Sequence, residues 1–426
     1  MELRLPTIPW ELHTLDNGLR VVIHPDRRMP LVGVNLWYHV GSRNESPRRT
    51  GFAHLFEHML FQGSAHVGTN DHFRWVQQVG GVANGSTWYD RTNYYETLPA
   101  SALELALWLE ADRMGWLLPG LTQEKLDTQR DVVLNERRQR VDNQPYGRAL
   151  ERLHELLYPE GHPYRWPVIG YPEHVSAATL EEVRGFFAVH YAPQNAVLTI
   201  AGDVDPGTAL ELAQRYFAEI PRGPERPAPV PPAAVAGTPE RDVLPDRVQL
   251  DRVYIGAVLP RYGSREWYAG SLLAVALSGG KSSPLYEDLV YRRQLAKDVS
   301  VAIFPTELAA TFLVVATGRP GVSAATLEQA LAQHLERAAA APLPTDELER
   351  ARHRVLHASF GALETLENKA DLLSQMTTYF DDPARVTTEI ATYAELDAGE
   401  LQRLAATALA PERRSTLAVV PLAVPA

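Results

Sequence analysis

The amino-acid sequence predicts an α+β protein with two homologous domains, each a mostly antiparallel sheet covered by helices. β-Branched runs alternate with stretches in which apolar residues recur every three or four positions, which are the periods of strands and helices. Eight of the 32 prolines fall between Pro221 and Pro245, just past the middle of the 426 residues. Such a run is typical of an extended linker. We therefore expect a first domain over 1–220, a proline-rich linker over 221–245 and a second domain over 246–426.

In the first half, strands and helices are predicted in a mixed order. The runs Leu19–Ile23 and Leu31–Tyr38 are bounded by turn-forming residues, so they predict two strands. Helical periodicity extends over 48–61, 102–116 and 122–140. A further helical stretch from Leu180 leads into the apolar run Ala196–Ile200, which predicts another strand. Strands and helices in this order indicate a sheet covered by helices.

The second half of the chain repeats the first. The helical pattern that begins at Leu121 recurs at Leu343, an offset of 222 residues. The helix and apolar run around Ala192-Pro193 recur around Ala410-Pro411, an offset of 218. Two offsets that differ by four residues indicate one duplication with a small insertion or deletion.

Composition excludes several classes of function. The chain carries 41 Lys+Arg and 52 Asp+Glu, a net charge of −11, which makes electrostatic nucleic-acid binding unexpected. The absence of cysteine excludes disulfides, thiolate metal ligands and a cysteine nucleophile. We expect no membrane span, because no apolar stretch is long enough. Without a visible signal peptide the cytoplasm is the expected location, and the periplasm is the alternative if a signal peptide has been removed.

The segment His54-Leu55-Phe56-Glu57-His58 on the first predicted helix carries the chemistry. At about 100° per residue, both histidines and Glu57 project from one face of a helix. Two imidazoles four residues apart can bind one divalent ion, and the carboxylate between them can take a proton from a bound water. This H-x-x-E-H order is a metallopeptidase signature. The alternative is a solvated helix face, but the flanking residues are apolar, and a buried Glu beside two imidazoles is costly without a partner.

A third metal ligand is expected on the helix predicted over 122–140. Zinc with two imidazoles usually takes one more protein ligand and leaves a position open for water. The helix offers Asp127, Asp131 and Glu136. Glu136 is favoured because it follows an apolar stretch that predicts inward packing, and Asp131 is next. The alternative is that these acids pair with neighbouring arginines on an exposed face.

Several motifs in order make the sequence similar to a known family. They are Gly51 to Gly63, Gly80 to Thr87, Asp90 to Tyr94, Gln129 to Glu136, His162 to Tyr164 and Tyr191 to Asn195. With these motifs the chain resembles the pitrilysin-type (M16, subfamily B) zinc metallopeptidases, in particular the branch that includes the mitochondrial processing peptidase. The resemblance implies an endopeptidase acting on peptides or unfolded segments. It also implies that the two domains form half of a clam-shaped chamber.

Carried over to this sequence, the resemblance implies one zinc ion per chain, held by His54, His58 and Glu136, with Glu57 as the general base. It implies that the peptide binds as an added strand along the segment Val82–Thr87. The candidate substrate-binding residues are Asn84, Gly85, Ser86 and Tyr94. Of these, Asn84 and Tyr94 could equally be ordinary turn and core residues. Two histidines that follow the metal helix, His66 and His72, are expected to be solvated.

The second half departs from the metal-binding pattern. Gly270, Leu273 and Ala274 stand opposite the two histidines and the glutamate, so one metal site per chain is expected. Related subunits carry an Arg and a Tyr for substrate binding where this chain has Pro284 and Lys297. The resemblance therefore implies a catalytic subunit of a two-component peptidase, active as a dimer, whose M16-type partner supplies the Arg/Tyr pair. A homodimer and a non-catalytic structural or assembly subunit are the alternatives.

Overall fold

The computed structural model describes residues 5–225 and 239–422, which form two sheets and the helices that cover them. The first half contains β1 (Glu11–Thr14), β2 (Arg20–Pro25), β3 (Leu31–Tyr38), α1 (Phe52–Met59), α2 (Asp71–Gln78), β4 (Val82–Thr87), β5 (Thr92–Pro99), α3 (Leu103–Gly120), α4 (Gln123–Arg137), α5 (Ala149–Leu157), α6 (Pro172–Ser176), α7 (Leu180–His190), β6 (Ala196–Gly202) and α8 (Pro206–Phe217).

The second half contains β7 (Arg241–Asp246), β8 (Arg252–Leu259), α9 (Arg265–Ser278), β9 (Ala296–Ile303), β10 (Ala310–Gly318), α10 (Ala324–Ala340), α11 (Thr345–Ala362), α12 (Leu366–Phe380), α13 (Arg385–Glu395), α14 (Ala398–Ala408) and β11 (Arg414–Pro421). Residues 226–238 of the predicted linker lie outside the described residues. The end of that linker is strand β7, which includes Pro245. Proline is compatible with this position because β7 lies at the edge of its sheet, where its missing N–H removes no interior ladder bond.

Sheet topology confirms the predicted α+β fold of two homologous domains. The first sheet has the order β1-β2-β6-β3-β5-β4 and the second the order β7-β11-β8-β10-β9. In each sheet one pair is parallel, β2 with β6 and β7 with β11, and the other pairs are antiparallel. Without β1 the two orders are the same. The helix α7 and strand β6 recur as α14 and β11, each displaced by the 218 residues found in the sequence.

The two halves exchange equivalent helices. In the order of elements α5 corresponds to α12, yet α5 packs on β8 and β11 of the second sheet, whereas α12 packs on β3 and β6 of the first. Leu153 and Leu157 of α5 belong to the same buried cluster as Leu417 and Val419 of β11. The packing therefore interleaves the two halves of the chain.

One predicted helix begins later than expected. Periodicity predicts a helix from Arg48, but α1 begins at Phe52, because Ser46 and Arg49 form a β-bridge and Gly51 has a positive φ of 90°. A Cβ atom at position 51 would lie 2.8 Å from the carbonyl oxygen of Ile169. Only glycine fits this approach without strain, so the start of α1 is fixed by its contact with the loop before α6.

Polar contacts also join the halves. Nη1 of Arg43 lies 3.1 Å from Oδ1 of the buried Asp90 and 2.7 Å from Oε2 of Glu307 in the second half. Tyr164 donates a hydrogen bond of 2.6 Å from its hydroxyl to Asp90. Asp90 accepts the N–H of Glu307 and the Tyr164 hydroxyl accepts the N–H of Leu308, each at 3.0 Å, so these two residues of the family-like motifs connect the halves. Within the described ranges, no helix combines the length and the apolar character that a membrane crossing requires.

Candidate metal centre

Helix α1 places His54, Glu57 and His58 beside one another. Leu55, Phe56 and Met59 are fully buried and anchor the opposite side of the helix. The two imidazole rings have centroids 4.8 Å apart, as expected for side chains one helical turn apart. Because the apolar face is fixed in the core, the three polar side chains are held in a common direction.

Glu136 reaches the same place from α4. Its Oε2 lies 3.2 Å from Nε2 of His58 and 3.6 Å from Nε2 of His54. Ligands of a tetrahedral ion with bonds of about 2.0–2.1 Å stand about 3.3 Å apart, so these separations fit a single zinc ion. The donor set of two imidazoles and one carboxylate is also typical of catalytic zinc sites. The side chains are 12%, 23% and 16% exposed for His54, His58 and Glu136, which leaves an open side for water or substrate.

The other acids of α4 do not reach the histidines. Asp127 forms an ion pair with Arg130, and Asp131 is exposed. Oε1 of Glu136, the oxygen that does not face the histidines, lies 2.7 Å from Nη1 of Arg140. The order of preference from the sequence, with Glu136 ahead of Asp131, therefore agrees with the positions of these side chains.

Electrostatics separates the roles of the two glutamates. Burial is the main cause that raises the pKa of Glu57, and the Thr87 hydroxyl and His58 oppose this shift. The hydrogen bond from His58 is the main cause that lowers the pKa of Glu136. Burial lowers the pKa of His54 to about 4, with the neighbouring imidazole of His58 as the next cause. The arrangement thus favours an ionised Glu136, a neutral His54 and a Glu57 with increased proton affinity, which suits a metal ligand set beside a general base.

Strand β4 passes next to this cluster and ends the first sheet. It pairs with β5 on one side, with Gly85 opposite Tyr94, and in the sheet order β4 has no second neighbour among the described residues. Val82 at its start is 63% exposed. Thr87 lies at its end, and the Thr87 hydroxyl is the group that opposes the rise in the pKa of Glu57. An unpaired strand edge therefore runs up to the candidate base.

The predicted substrate-binding residues lie in three different environments. Gly85 rests on the aromatic rings of Tyr94 and Phe61, where a Cβ atom would meet ring carbons at 3.1 and 3.2 Å. Tyr94 is fully buried, so its ring supports the strand from within the core and is out of reach of a peptide on the edge. Asn84 is exposed and its Oδ1 accepts a 2.9 Å hydrogen bond from the N–H of Gly85. Ser86 donates its hydroxyl to Asn93 at 2.6 Å on the face of the sheet that α12 covers.

The expectation that His72 is solvated is wrong. His72 is 4% exposed in α2, and its Nε2 lies 2.5 Å from Oε1 of the buried Glu96. Together with Glu110 these residues have the spacing of a metal site. However, both oxygens of Glu110 accept hydrogen bonds from Arg113, so a guanidinium already serves as the cation of this buried cluster. His66 has a half-exposed side chain, as predicted, and its Nδ1 lies 2.5 Å from Oδ1 of Asp112.

Sequence patterns missed one contact of the metal helix. The carboxylate of Glu45, nine residues before His54, accepts hydrogen bonds from the first turn of α1. The only signal in the sequence is an acid shortly before a helix that begins with glycine in place of a capping side chain.

Two family models match this chain. The model described as "Insulinase (Peptidase family M16)" matches residues 20–165, and the one described as "Peptidase M16 inactive domain" matches residues 177–355. The chain belongs to peptidase family M16. The first of the M16 matches contains the H-x-x-E-H segment and Glu136, and the second contains the positions where Gly270, Leu273 and Ala274 replace the motif.

Individual proteins are similar to this chain over nearly its whole length. The zinc protease PqqE of Helicobacter pylori is 29% identical over 401 residues, which are 92% of this chain and 88% of the relative. The crystal structure of a protease from Helicobacter pylori matches with a TM-score of 0.92 and 28% identity, covering 97% of this chain and 100% of the other. The periplasmic protease PqqL of Escherichia coli matches with a TM-score of 0.76 and 18% identity, covering 98% of this chain but 48% of PqqL.

Proposed function

We propose that this chain is a zinc-dependent endopeptidase that hydrolyses peptides or unfolded segments. The observation that carries the proposal is the convergence of His54, His58 and Glu136 at spacings suited to one zinc ion, next to Glu57. The zinc protease name of the Helicobacter pylori relative supports the same metal and the same class of reaction. A metal-storage or sensor role would need neither Glu57 nor a free strand edge.

Each residue of the site has a separate task. Zinc, when held by the two imidazoles and Glu136, supplies Lewis acidity that polarises a peptide carbonyl and acidifies water. Glu57 accepts the proton of the attacking water and later transfers it to the nitrogen of the departing amine. The raised pKa of Glu57 favours this role, because a carboxylate with greater proton affinity is the stronger base.

Strand β4 is the proposed docking edge for the substrate. A peptide added along Val82–Thr87 would exchange main-chain hydrogen bonds with the strand, which gives affinity with little dependence on side-chain identity. Peptides and unfolded segments present an extended backbone with unpaired N–H and C=O groups, so they are the proposed substrate class. Asn84 must release the N–H of Gly85 before a peptide carbonyl can accept from it.

We also propose that the active enzyme has two components. PqqL is about twice as long as this chain, so a second unit of similar size is present in that relative. Between Pro284 and Lys297 this chain has two arginines that could replace the missing side chains, but both already form ion pairs. Arg292 lies 2.5 Å from Glu287 and Arg293 lies 3.4 Å from Asp288. A partner M16-type subunit would supply the Arg/Tyr pair that Pro284 and Lys297 replace.

Metal content tests the ligand assignment. The purified chain should hold about one zinc per molecule, and His58→Ala and Glu136→Gln should each reduce this by more than tenfold. Asp131→Asn is the matched control, since it changes an exposed acid of the same helix and should leave the zinc content unchanged. Absence of zinc from the wild-type chain under zinc-replete conditions would contradict the proposal.

Peptide cleavage tests the base and the second component. Glu57→Gln should retain zinc but lose at least about a hundredfold in kcat, the size of a general-base contribution. Unchanged cleavage would rule out Glu57 as the base. The two-component proposal predicts weak activity of the chain alone and a large increase when an M16-type subunit carrying the Arg/Tyr pair is added. Full activity of the isolated chain as a monomer would refute it.

A further inference from the structure

The metal helix α1 has no N-cap side chain of its own. Its N-cap residue is Gly51, whereas α4, α7, α8 and α9 begin after Thr122, Thr179, Asp205 and Ser264, whose side chains accept a backbone N–H of the first turn. The first N–H groups of a helix have no partner within the helix and need one elsewhere. Because Gly51 and Phe52 are buried, water does not readily replace that partner.

Glu45 provides the missing acceptor from outside the helix. Its Oε2 accepts the N–H of Gly51 at 2.9 Å and its Oε1 accepts the N–H of Ala53 at 2.8 Å. The Glu45 residue is 9% exposed, so both bonds lie in a protected environment where they are strong. Burial raises the pKa of Glu45 to about 8, and the hydrogen bonds from Ala53 and Gly51 oppose that shift because they favour the charged carboxylate.

The loop that carries Glu45 is itself fixed to the first domain. Glu45 donates its N–H to the carbonyl of Ser42 at 3.2 Å, and that same carbonyl accepts the indole N–H of the buried Trp166 at 2.9 Å. The side chain of Asn44 accepts the N–H of Gly41 at 3.1 Å. The carboxylate therefore contacts α1 from a loop that has its own hydrogen bonds to the first domain.

From these contacts we infer that Glu45 is a positioning residue of the metal centre. Ala53, whose N–H it binds, directly precedes the ligand His54, so fixing the first turn of α1 fixes the direction of that imidazole. Groups that orient ligands from outside the coordination sphere typically contribute ten- to a hundredfold to metal affinity. The inference rests on the proposed zinc site, because it assigns Glu45 a role toward the ion that His54 would bind.

The test compares two capping residues in the full chain. Glu45→Ala removes the cap of α1, and Asp205→Ala removes the cap of α8, whose Oδ1 accepts the N–H of Thr208 at 3.0 Å on a helix without metal ligands. Zinc dissociation constants are measured by competition with a chelator. Glu45→Ala should weaken zinc binding about ten- to a hundredfold, and Asp205→Ala should leave it within twofold of the wild type. Glu45→Gln keeps one oxygen acceptor and the volume of the side chain, so it should fold and show an intermediate loss.

A second measurement does not depend on zinc. Hydrogen–deuterium exchange of the metal-free protein should be faster in the peptide spanning 51–59 for both Glu45 variants and unchanged there for Asp205→Ala. Zinc affinity within twofold of the wild type in Glu45→Ala, or in Glu45→Gln if the alanine variant does not fold, would overturn the inference. An equal loss in Asp205→Ala would also overturn it, since a general loss of stability would then be the cause. A wild-type chain that binds no zinc would instead refute the proposed function, and the inference with it.

Discussion

Replacing Asp371 by alanine should destabilise the whole protein, because this residue attaches the exchanged helix α12 to the first sheet. Its Oδ1 accepts hydrogen bonds from the indole N–H of Trp37 at 2.8 Å, from Asn93 at 3.1 Å and from Asn35 at 3.2 Å. The three donor residues are 1–2% exposed. Asp371→Ala would leave their N–H groups without this acceptor.

The size of the effect follows from those three contacts. A buried donor that loses its partner costs about 1–3 kcal/mol. Two circumstances reduce the sum: the Asn93 amide keeps a 3.2 Å bond to the carbonyl of Asn35, and a cavity of about 120 Å³ beside Asp371 can admit water. We therefore expect a loss of about 2–4 kcal/mol in the free energy of unfolding.

Urea denaturation measures this loss. Glu367→Ala is the matched control, since it removes an exposed carboxylate from the same helix and should change the free energy of unfolding by no more than about 0.5 kcal/mol. Both proteins should unfold in one transition, because each half covers the sheet of the other. A loss below about 1 kcal/mol for Asp371→Ala would refute the argument, and separate transitions for the two halves would refute the coupling through the exchanged helices.

The further predictions concern two buried carboxylates and two glycines. Burial raises the pKa of Glu96 from 4.5 to about 7, so the protonated carboxyl stabilises the folded state at low pH. As the pH rises from about 4.5 through 7, the free energy of unfolding should fall by about 3 kcal/mol. Glu96→Gln should avoid this loss, which urea denaturation at pH 8 measures. Burial raises the pKa of Glu110 to about 7 as well, but both of its oxygens bind Arg113. Glu110→Gln should therefore cost about 3–5 kcal/mol at pH 8, because it leaves a buried guanidinium without its hydrogen-bonded carboxylate, and equal effects of the two variants would contradict this distinction. Gly85→Val should raise KM for peptides with unchanged zinc content, since its side chain collides with the two rings below the strand. Gly185 lies in α7, and no atom lies within 4 Å of where a Cβ would stand. Because alanine has the higher helix propensity, Gly185→Ala should raise the free energy of unfolding by about 0.5–1 kcal/mol, and a decrease in the melting temperature would contradict this.

Much of the fold was predictable because its signals are local. Strand β3 has the bounds that its apolar run and flanking turns predict, and the segment Val82–Thr87 is an edge strand, as the family resemblance implies. The duplication was visible because a repeat displaces every local pattern by nearly the same number of residues. His54, Glu57 and His58 could be placed on one helix face because the helical period alone brings residues three and four apart together.

The environments of single polar residues were less accessible to sequence reasoning. His72 follows Gly68-Thr69-Asn70, a segment typical of a solvated loop, yet its ring is buried against Glu96 from a different strand. The sequence of β5 does not show whether the Tyr94 ring faces solvent or the core, but in the structure Gly85 and Phe61 cover it. Both outcomes depend on which element packs on which face, and no local period encodes that choice.

By itself, then, the sequence determined the two-domain α+β fold, the helix with its H-x-x-E-H face and the preference for Glu136 over Asp131. These depend on periodicity, on residue chemistry and on resemblance to a family, all of which are properties of the chain read in order. Only the tertiary structure decided that α5 and α12 cross to the other half's sheet and that Glu45 caps the metal helix. Such contacts form because buried apolar faces and unpaired N–H groups must find partners, and their nearest partners in space are set by the packing of the complete chain.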